Sequence, residues 1–132
     1  MINGESSFRI LLVDDEEIAH KSIGGFLEDL GYQVLIAENG KQALDILQKE
    51  NRIGLVISDV KMPVMNGLEL LKSICNQERR IPVILISGYG GVNSAVEALR
   101  LGACDYLKKP INLNNLMARI KDIEEKIEGL RD

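Results

Sequence analysis

The sequence predicts an α/β fold, with one doubly wound (βα)5 domain built around a central five-stranded parallel sheet. Three observations lead to this prediction. Short apolar runs that suit buried strands alternate five times with segments whose apolar residues recur at helical spacing. The connections are short, as in βαβ units with right-handed crossovers. The length of 132 residues is that of one domain, and the chain shows no internal repeat or second domain boundary.

Each predicted strand is a short aliphatic run that ends at a polar residue or a turn signal. In chain order the strands cover residues 8–13, 33–37, 55–59, 82–86 and 104–107. The third run, LVISD, is the clearest, because it ends on Asp59 and is followed by the breakers Met62-Pro63 and Asn66-Gly67. It therefore predicts a buried strand with a carboxylate at its carboxyl end.

Each predicted helix presents an apolar side at helical spacing. In order the helices cover about residues 14–30, 41–50, 67–76, 92–101 and 113–128. The acids at 14–17 favour the dipole of the first helix and can supply its cap, and Gly31 fits the C-terminal cap. The pair Gly24-Gly25 should weaken this helix by roughly 1 kcal/mol per glycine relative to alanine. We expect close packing on the sheet to explain that pair.

Composition and charge exclude several classes of protein. The net charge of −4 and the scarcity of aromatic residues argue against direct nucleic-acid binding. The same negative charge argues against docking to an acidic membrane surface. The longest apolar runs are far too short to span a membrane. The N-terminus carries no secretory signal pattern. Cys75 and Cys104 fit neither a disulfide framework nor a zinc site, so we expect two small buried residues in a reducing cytoplasm.

Polar residues that can carry chemistry follow four of the five predicted strands. These residues are Asp14 and Asp15, Asp59, Ser87, and Lys109. In a parallel sheet the carboxyl ends of the strands lie at one edge, where open α/β folds place their sites. Three carboxylates that converge there repel one another unless a cation or protons compensate their charge, and a set of oxygen ligands without His or Cys suits Mg²⁺. An aspartate can also act as a nucleophile towards phosphorus, and a cation, a lysine and a hydroxyl can neutralise the transferred group.

Several motifs, in order, resemble the receiver domain of two-component response regulators. They are ILLVDDEE, the D-x-x-M-P-x-x-x-G pattern from Asp59 to Gly67, LISG at the end of the fourth strand, and GACDYLKKP. The resemblance spans about residues 8–121, so residues 122–132 are expected to be the end of the last helix or a linker. It implies the flavodoxin-like strand order 2-1-3-4-5.

The resemblance also assigns roles to residues. Asp59 would accept a phosphoryl group. Mg²⁺ would be bound by Asp15, by Asp59 and by the backbone carbonyl of Lys61, with Asp14 assisting through a metal-bound water. Lys109 would contact the phosphoryl group, whereas Lys108 is expected to be a solvated charge. The remaining assignments are the switch residues Ser87 and Tyr106, and Lys61 and Tyr89 as variable positions that tune the lifetime of the acyl phosphate.

The implied partners follow from these roles. A sensor histidine kinase, or a histidine phosphotransfer protein, would supply the phosphoryl group, and the end of the first helix near Ile18 would meet it. Phosphorylation would change the surface of the fourth helix, fifth strand and fifth helix, which would act on an output domain or form a homodimer. Transcription is one candidate output. The domain would be a signalling switch that catalyses only its own phosphorylation and dephosphorylation.

Two other functions stay open at this point. One is an aspartyl-phosphate phosphohydrolase, although its D-x-D pattern after the first strand is here Asp14-Asp15-Glu16. The other is an interaction module with an inactive site. His20, the only histidine, is expected to be solvated or to face a partner, outside the cluster. In the last helix Leu116 and Ile120 are expected in the core, whereas Ile127 and Leu130 could join a linker helix or a dimer seam.

Overall fold

The computed structural model describes residues 8–77, 80–88 and 92–131. Five strands and five helices alternate along this part of the chain. The strands are β1 (Arg9–Val13), β2 (Gln33–Ala37), β3 (Ile53–Asp59), β4 (Val83–Ser87) and β5 (Asp105–Lys108). The helices are α1 (Glu17–Asp29), α2 (Gly40–Lys49), α3 (Gly67–Cys75), α4 (Val92–Arg100) and α5 (Leu113–Arg131). The predicted number, type and order of elements are confirmed.

The five strands form one parallel sheet in the order β2-β1-β3-β4-β5, which confirms the predicted topology. The order reverses between β1 and β3, and this reversal opens a crevice at the carboxyl edge of the sheet. In the register, Val13 pairs with Ser58 and Asp59 with Ile86. The last residues of the central strands therefore lie side by side at the crevice.

Both faces of the sheet are covered, and the alternation of side chains along each strand divides the core in two. On β1, Leu11 and Val13 pack in one cluster, whereas Ile10 and Leu12 pack in the other. The first cluster lies under α2, α3 and α4, and the second lies under α1 and α5. Leu116 and Ile120 are fully buried in the second cluster, as expected. Burial on both faces explains why the strands appear in the sequence as continuous aliphatic runs.

Several boundaries differ from the sequence expectation. Strand β3 begins at Ile53 rather than Leu55, because Ile53 pairs with Arg9 across an irregularity in the register. Gly54 lets the ring of Phe8 lie against the strand, since a Cβ at this position would fall 2.6 Å from that ring. Helix α1 begins at Glu17 and Glu16 flanks it, so Asp14 and Asp15 belong to a loop and only Glu17 is an acid of the first helical turn.

Two expectations about side chains were wrong. Cys104 is exposed and Cys75 is half-buried, so the cysteines are not a buried pair. A Cβ on Gly24 would meet only ordinary contacts at 3.7 Å, and one on Gly25 would meet no atom within 4 Å. Close packing on the sheet therefore does not explain the two glycines, and nothing in the structure does.

No helix in the described part of the chain combines the length and the apolar character needed to cross a bilayer.

Candidate functional site

The acidic pocket, defined here as Asp14, Asp15, Glu16 and Asp59, lies where β1 and β3 end in the crevice. One carboxylate oxygen from each of the four side chains lies within 4.8 Å of the others. Asp14 and Asp59 are buried, whereas Asp15 and Glu16 are exposed. The three predicted aspartates therefore do converge. The donor set is all oxygen and carries four negative charges, so it fits a hard divalent cation such as Mg²⁺.

Glu16 is the member of the acidic pocket that the sequence interpretation missed. The run Asp14–Glu17 gave a signal, but it was interpreted as a favourable helix start. In the structure Glu16 is the N-terminal residue that flanks α1, and its side chain caps no helix N–H. Instead, its backbone N–H donates to Oδ1 of Asp14 at 2.9 Å. This local bond folds the loop so that successive acids face the crevice.

Lys109 is the cation of the site. It follows β5 directly, and its Nζ donates to Oδ2 of Asp59 at 3.2 Å and lies 4.0 Å from Oδ2 of Asp14. Lys108, one residue earlier, is exposed on the other side, as expected from strand alternation. Of the two adjacent lysines, Lys109 is therefore the one that contacts Asp59.

Burial and charge act on the site in opposite directions. Burial raises the pKa of Asp14 above its ordinary value of 3.8, and the charges of Asp59 and Asp15 add to this, against the hydrogen bond from Glu16 and the charge of Lys109. Burial alone would lower the pKa of Lys109, but the hydrogen bond and the charge of Asp59, with the charges of Asp14 and Glu16, raise it overall. The crevice therefore holds more negative charge than Lys109 can neutralise.

The loop after β3 is shaped by three local features. Gly67 has its N–H bonded to the carbonyl of Val60 at 2.8 Å, which brings the start of α3 against the end of β3. Asn66 and Glu69 form a reciprocal capping box that fixes the first turn of α3. Val64 adopts a left-handed backbone with φ of 69° and is exposed. Lys61 lies in this loop with an exposed side chain. The metal contact expected of its backbone carbonyl stays a prediction.

Ser87 and Tyr106 line one cavity of about 440 Å³, beside the loop after β3. Ser87 is the last residue of β4 and is buried, whereas Tyr106 on β5 is half-buried. Ser94 and Glu97 of α4 and Lys61 also line this cavity. The space joins the two predicted switch residues to α4. Tyr89 lies outside the described residues.

His20 is not where it was expected. Its ring is half-buried in the first turn of α1, and Nε2 lies in hydrogen-bonding contact with the backbone carbonyl of Asp14. His20 is therefore neither fully solvated nor remote from the cluster, as one expectation had it, whereas the alternative that it faces a partner stays a prediction. No sequence pattern indicates this contact, because it depends on how the loop between β1 and α1 folds back.

Comparison with known proteins gives a family match over most of the chain. The family model described as the response regulator receiver domain matches residues 10–121. The transcriptional regulatory protein CrdR of Helicobacter pylori is 45% identical over 114 residues, which are 86% of this chain and 53% of CrdR. The transcriptional regulatory protein CpxR of Escherichia coli is 42% identical over 115 residues, or 87% of this chain and 48% of CpxR. The chain spans about half the length of these relatives.

A solved structure agrees with the fold. The CheY-like response regulator receiver domain protein from Methanospirillum hungatei superposes with a TM-score of 0.85 at 33% identity. The match covers 94% of this chain and 99% of that one.

Proposed function

This chain belongs to the response regulator receiver domains, and from that premise we propose that it is a switch in which Asp59 is phosphorylated with the help of Mg²⁺. The observation that carries the proposal is the position of Asp59, which is buried at the end of β3, bonded to Lys109 and grouped with three further carboxylates. A nucleophilic carboxylate, a cation and a hard-metal donor set are the parts that phosphoryl transfer needs.

In the proposed reaction an oxygen of Asp59 attacks the phosphorus of a phosphohistidine on the partner. The P–O bond forms as the P–N bond breaks, and the imidazole leaves with the electron pair. Lys109, already 3.2 Å from Asp59, would keep a positive charge beside the transferred group. Asp15, Asp59 and the carbonyl of Lys61 would hold Mg²⁺, with Asp14 assisting. When bound, Mg²⁺ would neutralise the phosphoryl oxygens.

The switch itself would be a population shift. Phosphorylation adds roughly −1.5 to −2 charges and three acceptor oxygens at Asp59. Ser87 and Lys109 would bond those oxygens in only one arrangement of the chain after β4, so that arrangement would gain population. A nearly complete shift needs about 5.5 kcal/mol, and two charge-assisted hydrogen bonds at about 1.5–3 kcal/mol each can supply most of it. Ser87 and Tyr106 line the same cavity, which supports a switch in which the ring of Tyr106 would turn inward when the Ser87 hydroxyl moves.

The output surface in this proposal is formed by α4, β5 and α5. Two large apolar side chains of α4, Val96 and Leu99, are 41% and 52% exposed there. We propose that this surface acts on a further domain or on a second copy of the chain. Because the relatives are transcriptional regulators of greater length, transcription is the proposed output, in the cytoplasm. The chain itself would not bind nucleic acid.

The labelling experiment incubates each protein with acetyl phosphate and Mg²⁺. The proteins are wild type, Asp59→Asn and the matched control Asp45→Asn, which changes an exposed aspartate of α2. We expect acid-stable, base-labile phosphoprotein from wild type and Asp45→Asn only. Lys109→Ala should still bind Mg²⁺ but show a weak spectral response to phosphorylation. Equal labelling of Asp59→Asn and wild type would contradict the assignment of Asp59 as the phosphorylated residue. An unlabelled wild type would instead support the interaction-only alternative.

The proposed kinase contact is an apolar hollow beside Lys109. Ile18, which is 74% exposed, lines a cavity of about 560 Å³ together with Pro110, Ile111 and Leu113. Glu16 and Lys109 lie at the same cavity. A helix that carries a phosphohistidine could bury its apolar side there and present the phosphoryl group to Asp59.

We therefore expect Ile18→Asp to lower the rate of phosphoryl transfer from a phosphorylated kinase by about tenfold or more, because a charge would be buried in the apolar contact. Labelling by acetyl phosphate, which needs no docking surface, should be unchanged. The control is Ile36→Asp on β2, where Ile36 is also exposed but lies on a different strand edge. Equal loss with both phosphoryl donors would place Ile18 in the fold or the chemistry rather than in docking.

A further inference from the structure

The contact between His20 and the loop after β1 has no role in the function proposed above. The backbone carbonyl oxygen of Asp14 can only accept a hydrogen bond, so Nε2 of His20 must carry the proton that it donates. We infer that His20 is a positioning residue of the cation site: its Nε2–H fixes the peptide between Asp14 and Asp15 and thereby sets the Asp15 carboxylate. The inference rests on the proposed function.

Among the hydrogen bonds of the described residues, this one acts on a part of the loop between two other fixed points. At one end, the N–H of Asp14 donates to the carbonyl of Ala37 at 3.0 Å. At the other end, the N–H of Glu16 donates to the Asp14 side chain at 2.9 Å. Between them lies the planar Asp14–Asp15 peptide, whose carbonyl direction also fixes its N–H and the Cα of Asp15. His20 is the side chain bonded to that carbonyl.

Packing does not orient the side chain of Asp15. Its side chain is exposed, in contrast to the buried Asp14, so no core contact holds it in the crevice. Its carboxylate lies within 4.8 Å of three other carboxylates, and their mutual repulsion favours its displacement into solvent. A fixed backbone at Asp15 opposes that displacement before the cation binds. The bond from α1 therefore preorganises a donor that charge alone would drive away.

The expected consequence concerns Mg²⁺ affinity. Partners that orient metal ligands typically change affinity by about tenfold to a hundredfold when they are removed. His20→Leu keeps an apolar body of similar size but has no donor. His20→Gln retains an N–H donor of similar reach. We expect the dissociation constant for Mg²⁺ to rise about tenfold in His20→Leu and to return most of the way in His20→Gln.

The test measures Mg²⁺ binding to the unphosphorylated chain by titration calorimetry, with urea unfolding in EDTA alongside. Lys21→Ala is the matched control, since Lys21 is a neighbouring exposed residue on α1 that pairs only with Glu17 among the described ion pairs. A merely structural His20 would lower the unfolding midpoint and leave the dissociation constant unchanged. In acetyl phosphate labelling, the half-saturating Mg²⁺ concentration should be higher for His20→Leu than for wild type. At saturating Mg²⁺ the labelling rate of His20→Leu should equal that of wild type.

Three results overturn the inference. An unchanged dissociation constant in His20→Leu does so, and so does a loss that His20→Gln fails to reverse. If His20→Leu does not fold, His20→Asn replaces it. The side chain of this variant is one methylene shorter than that of His20→Gln, so we expect the variant to bind Mg²⁺ weakly as well. If wild type itself binds no Mg²⁺, the proposed metal site fails and this inference fails with it, a result that the wild-type titration alone distinguishes from failure of the His20 role.

Discussion

Gly67 lies where α3 meets the end of β3 that carries Asp59. A Cβ at this position would lie 2.3 Å from the carbonyl oxygen of Asp59 and 2.9 Å from the Cα of Val60. Backbone atoms cannot yield as a flexible side chain can, so the requirement for glycine is steric. The absence of a side chain at Gly67 therefore sets how closely α3 and β3 approach each other.

Substitutions at two glycines should have opposite effects for this reason. Gly67→Ala should lower the free energy of unfolding by about 2 kcal/mol or more, because β3 and α3 must separate. Gly25→Ala should raise it by about 1 kcal/mol, because alanine favours the helix and its Cβ meets no atom within 4 Å. Urea unfolding measures both. A Gly67→Ala variant as stable as the parent would show that the loop relaxes without cost.

Among the elements, the length of α5 bears on where the folded domain ends. The helix runs unbroken from Leu113 to Arg131, past the boundary at residue 121 that the family resemblance suggested. Ile123 and Ile127 pack against the core cluster under α1 and α5. Glu124 accepts a hydrogen bond from the hydroxyl of Tyr32 at 2.8 Å. These contacts favour a folded unit that extends beyond residue 121, although the boundary stays a prediction. The side chain of Leu130 lies outside the described residues.

Removal of residues 122–132 should therefore cost stability. We expect a loss of about 2 kcal/mol in the free energy of unfolding, since two partly buried isoleucines would be lost. Removal of residues 129–132 alone is the control and should have little effect, because the described contacts of α5 end before it. Thermal or urea unfolding of the two truncated chains decides the matter. Equal stability of both would mean that residues 122–128 act only as a linker.

At the scale of the whole molecule, the topology gathers more negative charge than the fold neutralises. Because the pKa of Asp14 is raised, the folded state holds a proton there more tightly than the unfolded chain does. This contribution to stability is present below the ordinary value of 3.8 and is lost as the pH rises through the raised pKa. At neutral pH the ionised carboxylate of Asp14 thus destabilises the fold, and a bound cation would offset this.

Mg²⁺ should stabilise the whole domain at neutral pH. At a concentration about 100 times its dissociation constant it should raise the free energy of unfolding by about 2.7 kcal/mol, because it binds the folded state. EDTA should remove the gain, and Asp14→Asn should both stabilise the metal-free domain and reduce the gain. Urea unfolding in Mg²⁺ or in NaCl of equal ionic strength separates binding from screening. An equal effect of both salts would argue against a specific site.

Much of this protein was determined by its sequence. Aliphatic runs that end at turn signals predicted the five strands, since strands buried on both faces need apolar residues at every position. Asp14, Asp15, Asp59 and Lys109 could be found because strand ends of a parallel sheet share one edge, so their positions along the chain already imply proximity. Gly31 was likewise predicted from a local backbone requirement, and its φ is 98°.

Only the tertiary structure decided the details that depend on how loops fold back. It placed Glu16 in the acidic pocket and joined His20 to the carbonyl of Asp14. It gave Val64 a left-handed backbone that a β-branched residue rarely adopts, and it left Cys104 exposed. The physical reason is that periodicity records which face of a strand or helix is buried. The path of a short loop is instead set by hydrogen bonds to other elements, and residue order alone does not encode them.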